Sequence, residues 1–264
     1  MIDADWLPLL IRAAAASGVV VLASLVAERV GPFFGGLIAT LPVSTGPAYV
    51  LLAIDHDDAF IAGAALSSVV TNVSMIAFLV ALVLASPRCR MPVSLGGSIA
   101  LWIGLAAALK LLPWSVAGAL AANAAAYALA FLLVRRSPPA PVTRRAVPRW
   151  YDVPLRAVLV GLLVVGVTTA SSWIGPAATG IGAIFPIALS SLTAVVHQRL
   201  GGAAASATMR GAVIANPGFL LSVLTVHLLA VPAGRWGALA AGLAVSLGWS
   251  AGLLVWKRRQ AAAG

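Results

Sequence analysis

Acidic residues are scarce in this sequence. Seven Asp and Glu stand among 264 residues, and charged residues of either sign make up 9%, where a soluble domain carries roughly 25%. No acid falls well inside an apolar run; Glu28, near the end of one, is the nearest by type. A proton carrier or intramembrane ion pair built on a carboxylate is therefore not on offer. Cysteine is rarer still. Cys89 stands alone, and one thiol makes neither an internal disulfide nor a metal site. The three histidines, His56, His197 and His227, have no mutual spacing that implies a metal. The sequence has no Walker motif, which argues against direct use of ATP. It pairs no nucleophile with a base, so an enzyme would lack its machinery. No metal and no cofactor are expected.

What the chain has is apolar length. Apolar residues make up 61% and the mean hydropathy is +1.04. The runs are about 20 residues long, enough for a helix to cross a bilayer, and they lack the ~10-residue alternation of barrel strands. The fold class expected is an all-α polytopic membrane protein. About nine transmembrane helices are read, at roughly 7–28, 31–54, 59–85, 92–112, 114–134, 154–173, 175–197, 203–230 and 234–256, with ends good to a few residues. Pro113 makes the fourth and fifth a tight hairpin. Arg135 to Asp152, rich in proline and arginine, reads as a loop.

The formal charge of +10 would suggest nucleic acid in a soluble protein. Here the basic residues sit in short loops between spans, so no nucleic-acid partner is inferred and membrane orientation explains the charge. One side collects Arg29, Arg88, Arg90, Arg135, Arg136, Arg144, Arg145, Arg149, Arg199, Lys257, Arg258 and Arg259. The other has Arg235, Lys110 near a helix end, and Asp3, Asp5, Asp55, Asp57 and Asp58. Basic loops stay cytoplasmic. The N-terminus is thus expected outside and the C-terminus inside, in the plasma membrane, the inner membrane of a bacterium. The opening "MIDADW" is acidic, unlike the basic start of a signal peptide, so the first run is expected to be retained.

Two stretches repeat a pattern. "GPFFGGLIATLP" begins at Gly31 and "GPAATGIGAIFP" at Gly175. At the offset of 144 that separates them, Gly31, Pro32, Gly36, Ala39 and Pro42 fall on Gly175, Pro176, Gly180, Ala183 and Pro186. Arg12 and Ala13 fall on Arg156 and Ala157, Asn72 on Asn216, and Gly104 on Gly248. Matches of Ala and Gly are cheap in this composition; those of Pro and Asn are not. The expected organisation is a four-helix repeat over 1–112, a connector helix and basic loop over 113–150, and a second repeat over 151–264. Five spans separate equivalent points, so the second copy enters the membrane the other way round. This 4+1+4 inverted repeat is a build common in secondary transporters, whose sites lie near the midplane.

The first half also carries "GGLIATLP" in its second helix, the step Arg90-Met91-Pro92 before its fourth, and "GSIALW" within that helix. On these motifs it resembles the small four-helix membrane proteins of the GlpM type. The second half keeps the Gly…Pro pattern without the Arg-Met-Pro step. The resemblance implies a four-helix unit and no defined chemistry.

Candidate site residues follow from the breaks and from polar groups inside spans. Pro42 and Pro186 sit about halfway along the second and seventh spans, with Pro47 and Pro217 as further breaks. Proline removes a backbone hydrogen bond, and in lipid the freed carbonyl must be covered by protein or by a wet cavity. Thr40, Ser44, Thr45, Ser190 and Ser191 could repair such a kink or face a solute. Asn72 and Asn216 lie within the third and eighth spans and serve either as interhelical glue or as site lining. Ser68 and Thr71 share a helical face with Asn72. Arg210, whose repeat partner is Leu66, costs about 2.5 to 3.5 kcal/mol in an apolar core. It either meets an anionic solute or backbone carbonyls, or snorkels to the headgroups roughly 10 Å away. "DHDD", Asp55 to Asp58, is one acidic cluster without a second to complete a metal site, and reads as a solvated loop.

The function expected is a small secondary transporter or flippase-like carrier, with a midplane site between broken helices, for a small solute that is anionic if Arg210 is its partner. The alternative is an accessory or assembly membrane protein with no transport of its own. The partners expected are the bilayer and the solute, with a homo-oligomer left open; the small residues Gly31, Gly35 and Gly201 to Ala207 let helices approach closely and read as packing features.

Overall fold

The computed structural model describes residues 45–135 and 152–263, with Ala14 and Gly18 besides. Among them regular structure is entirely helical. The order is α1 (Thr45–Asp55), α2 (Asp58–Ala85), α3 (Met91–Lys110), α4 (Val116–Arg135), α5 (Asp152–Ala183), α6 (Ile187–Leu200) and α7 (Gly202–Ala263). Among the described residues five stretches are long and apolar enough to cross a membrane: Asp58–Ala85, Met91–Lys110, Val116–Arg135, Pro154–Leu200 and Gly202–Trp256. This is an α-helical integral membrane protein by length and composition. The spans expected over 7–28 and most of 31–54 lie outside the described residues, as do Thr40, Pro42, Ser44 and the basic loop.

Helix ends are set by local chemistry. The Asp57 carboxylate accepts from the Phe60 N–H at 2.8 Å and caps α2. At the other end of α2, Arg88 Nη1 donates to the Leu84 carbonyl at 2.6 Å. Pro92 lies in the first turn of α3, where its missing N–H costs nothing. Trp114 Nε1 donates to the Leu109 carbonyl at 2.8 Å and closes α3. The Ser115 hydroxyl accepts from Gly118 N at 3.1 Å and opens α4. The two longest helices are each interrupted by a glycine in left-handed backbone: Gly175 at φ 72° in α5 and Gly234 at φ 74° in α7. A side chain is disfavoured in that conformation. Pro176 follows Gly175 directly, at the start of a new helical segment.

The breaks differ in part from expectation. Pro186 does end the helical run: α5 stops at Ala183 and α6 starts at Ile187. Pro47 sits in the first turn of α1, a position that starts a helix. Pro217 lies inside continuous helix, so the break expected there within the eighth span is absent, while the interruption of α7 at Gly234 falls where the eighth and ninth spans are expected to meet. Gly234 reaches a conformation that Pro217, with its φ fixed in the helical range, does not need.

The centre of the molecule is α2. Of its apolar window 72% is buried, against 17% for α4 and 22% for α7, whose outer faces are left for lipid. One end of α2 packs Leu52, Ile61, Val160, Val164 and Val226. The other packs Phe78, Leu79, Trp102, Met209 and Val213. Large apolar side chains such as Leu112, Leu162, Trp173 and Val231 stay exposed on the outside, as a bilayer solvent permits. Against α5 the approach is close: a Cβ on Gly180 would overlap the Ala64 carbonyl. Ser67 Oγ donates to the Ala177 carbonyl at 2.6 Å, and Ser68 Oγ to that of Gly180 at 2.8 Å.

Hydrogen bonds tie α7 to α2 along most of its length, beginning with Arg235, which donates from N and Nη1 to the Asp58 carboxylate at 3.0 and 3.1 Å. His227 Nδ1 donates to the Ala62 carbonyl at 2.8 Å, Asn216 Nδ2 to Asn72 Oδ1 at 3.0 Å, and Ser206 Oγ to the Val83 carbonyl at 2.7 Å. As residue numbers rise along α2 they fall along α7, so the two helices run antiparallel.

Candidate functional site

In the middle of that antiparallel pair lies a cluster of carboxamides. Asn72 is wholly buried, Asn123 of α4 is nearly so, and Asn216 is 9% exposed. Burying such groups in an apolar bundle is costly unless their hydrogen bonds are made. They are made in a chain. Asn123 Nδ2 donates to the carbonyls of Val69 and Ala119, both at 2.8 Å. Carbonyls only accept, so this end of the amide is its nitrogen and Asn123 Oδ1 faces the other way. It accepts from Asn72 Nδ2 at 2.9 Å, which turns Asn72 Oδ1 towards Asn216 Nδ2 at 3.0 Å. The direction of every amide therefore follows from two backbone carbonyls. Tyr127 closes the group: its hydroxyl oxygen accepts from Asn216 Nδ2 at 3.0 Å and from Asn72 Nδ2 at 3.3 Å.

Asn123 and Tyr127 were not anticipated as site residues. They lie four apart in "NAAAY", hence on one face of α4, and are the polar exceptions of an alanine-rich span. That spacing was the available signal.

The other expected residues are divided among two further places. Near the break at Pro186, Thr45 Oγ1 donates to the Ala183 carbonyl at 3.2 Å. That carbonyl is among the last of α5, a position with no partner within its own helix. Ser191 Oγ donates to the Ala188 carbonyl at 2.9 Å. The buried Ser190 Oγ has no partner among the described residues. Here hydroxyls repair a break, as the kink reading requires, and one hydroxyl is left over.

Arg210 is in the third place. Its Nη1 donates to the Val134 carbonyl at 2.9 Å, in the last turn of α4. A guanidinium suits the partial negative charge of a helix C-terminus. Asn216 lies six residues further along α7, about 9 Å at the helical rise, so Arg210 does not join the asparagines through its described bond.

Ser68, although i−4 to Asn72, shares none of its bonding partners. It bonds Tyr49 OH at 2.8 Å as well as Gly180. The "DHDD" residues are engaged structurally. Asp57 caps α2, Asp58 pairs with Arg235 at 3.1 Å, and His56 stacks on Phe60 and bonds Ser171 Oγ at 2.7 Å.

No family model matches the sequence, and no curated protein or solved structure matches it.

Proposed function

We propose that the chain is a small secondary transporter or flippase-like carrier, built as nine spans in a 4+1+4 inverted repeat, with its site at the asparagine cluster. The observation that carries this is a symmetry in the bonds between α2 and α7. Ser206 is Ala62 advanced by 144 positions, His227 is Val83 advanced by the same 144, and Asn216 is Asn72 so advanced. Exchanging the halves carries the bonded pair Ala62–His227 onto the pair Val83–Ser206, with donor and acceptor sides exchanged, and the pair Asn72–Asn216 onto itself, while the Asp58–Arg235 pair has no such image among the described residues. A two-fold axis passing between the asparagines has that effect. Because the helices are antiparallel, such an axis lies across them, in the membrane plane, which is the arrangement of inverted-repeat carriers.

The span count has separate support. The left-handed glycines at 175 and 234 divide the two longest apolar stretches close to where the sequence separates four spans. The orientation, outside for the N-terminus and cytoplasmic for the C-terminus in a bacterial inner membrane, rests on the loop charges. The GlpM-type resemblance, if it reflects descent, makes each half one such four-helix unit.

A carrier opens its midplane site to each side in turn. In a Cys89→Ser background, Asn216→Cys is expected to react with a membrane-impermeant thiol reagent both in right-side-out and in inside-out vesicles. Reaction from neither side would leave a closed, packed junction and favour the accessory or assembly role.

A further inference from the structure

The asparagine cluster does not use all of its hydrogen-bonding capacity. Each carboxamide has two N–H donors, and all of those on Asn72, Asn123 and Asn216 are taken. Asn123 Oδ1 and Asn72 Oδ1 each accept a bond. Asn216 Oδ1 accepts none among the described residues, although its side chain is 9% exposed. The Tyr127 oxygen takes two amide hydrogens, and amide nitrogens do not accept. Its own O–H hydrogen therefore has no acceptor among the described residues. One donor and one acceptor remain, on two groups already joined by the 3.0 Å bond from Asn216 Nδ2 to Tyr127.

We propose that Tyr127 and Asn216 form a two-point site for an uncharged solute group that both takes and gives a hydrogen bond, a hydroxyl or a primary carboxamide. This names the solute class for the carrier proposed above and rests on that function. An ionised carboxylate, which only accepts, would suit the Tyr127 hydrogen but face the unpaired lone pairs of Asn216 Oδ1. An ammonium would suit Asn216 Oδ1 but face the Tyr127 hydrogen. A group with one donor and one acceptor satisfies both, and leaving either unpaired in a buried site costs about 1 to 3 kcal/mol. The connector helix α4 creates the difference. It has no counterpart in the repeat, and through Asn123 Oδ1 it takes an Asn72 N–H that would otherwise be free for Asn216, leaving Asn216 Oδ1 without a donor among the described residues.

The protein has three tyrosines, Tyr49, Tyr127 and Tyr151, so tyrosine isotope-labelled at Cζ gives three resolvable signals, and Tyr127→Phe assigns the one that matters. Acetamide is expected to shift the Tyr127 signal saturably in the full chain in nanodiscs. Acetate, of nearly the same shape, is expected to leave it in place at equal concentration. Asn216→Ala is expected to weaken acetamide about fivefold, the value of one neutral hydrogen bond, with an unchanged Tyr49 signal reporting an intact fold. Absence of any Tyr127 shift with acetamide, or an equal shift with acetate, overturns the site. Uptake of radiolabelled erythritol into proteoliposomes, above protein-free vesicles, separates the two proposals. A saturable acetamide shift without uptake keeps the site and removes the carrier function. Uptake at the parental rate in Tyr127→Phe keeps the carrier function and removes the site.

Discussion

Asn216 Nδ2 donates to Asn72 Oδ1 at 3.0 Å, across a sequence separation of 144 residues. That separation is also the offset at which the two Gly-Pro stretches match. A pair of residues equivalent in a duplicated chain meets side chain to side chain only if it lies close to the axis relating the copies. Side-chain bonds between membrane helices contribute about 0.6 kcal/mol on average and about 1.7 at most. A double-mutant cycle on Asn72→Ala and Asn216→Ala, read by unfolding in bicelles, is expected to give a coupling energy in that range. Asn72→Ala alone should cost more than Asn216→Ala alone, because it strands both Asn123 Oδ1 and Asn216 Nδ2. Zero coupling would show that the pair is adjacent without being bound.

The crossing of α2 and α5 depends on a missing side chain. A Cβ at Gly180 would overlap the Ala64 backbone carbonyl, whereas one at Gly211 would meet nothing within 4 Å. Gly180→Ala is expected to destabilise the protein by about 1 to 3 kcal/mol, the usual cost of overpacking. Gly211→Ala should be neutral or stabilising by up to about 1 kcal/mol, since alanine is the better helix former. Equal effects at the two positions would contradict the close approach.

The membrane orientation can be read from the one native thiol. Cys89 lies between α2 and α3 and is partly exposed, on the side that collects arginine. It is expected to label with an impermeant reagent in inside-out vesicles only. Leu112→Cys in a Cys89→Ser background, at the exposed turn after α3, should label in right-side-out vesicles only. Labelling of both positions from one side would remove the span between them and the inverted arrangement with it.

Where the sequence was legible, it was so because a residue type had a single physical use. The five matched positions of the second stretch each have one. Gly175 takes left-handed backbone, Pro176 follows at the start of the next segment, Gly180 meets the Ala64 carbonyl, Ala183 gives its carbonyl to Thr45, and Pro186 ends the helical run. Asn72 and Asn216 were expected as polar residues within spans, but not as each other's partners, because periodicity fixes the face of one helix and says nothing of which helix lies opposite. Asn123 and Tyr127 escaped for a different reason. The offset of 144 pairs Asn72 with Asn216 and pairs nothing with Asn123 or Tyr127. Pro217 was misjudged because proline inside a membrane helix need not break it. Its backbone stays helical.

Arg210 gives the sharpest division between anchor and ligand. Its guanidinium donates to the Val134 carbonyl at 2.9 Å, at the negative end of α4, where a cation is worth about 0.3 to 1 kcal/mol and up to about 2 when partly buried. A lysine there keeps the charge but loses the planar fork of donors. As an anchor, Arg210→Gln should lower stability by about 1 to 2 kcal/mol and Arg210→Lys by less, with the acetamide-induced shift at Tyr127 unchanged in both. As an anion ligand, Arg210→Gln should instead abolish stabilisation of the parent protein by small anions such as phosphate, with Arg210→Lys retaining part of it. Thermal unfolding of the three proteins with and without phosphate distinguishes the two. The described bond favours the anchor, because a guanidinium nitrogen turned to a helix-end carbonyl holds α7 to α4. A phosphate-dependent rise in Tm that disappears in Arg210→Gln would move the charge back into the site, and the uncharged solute class would fall with it.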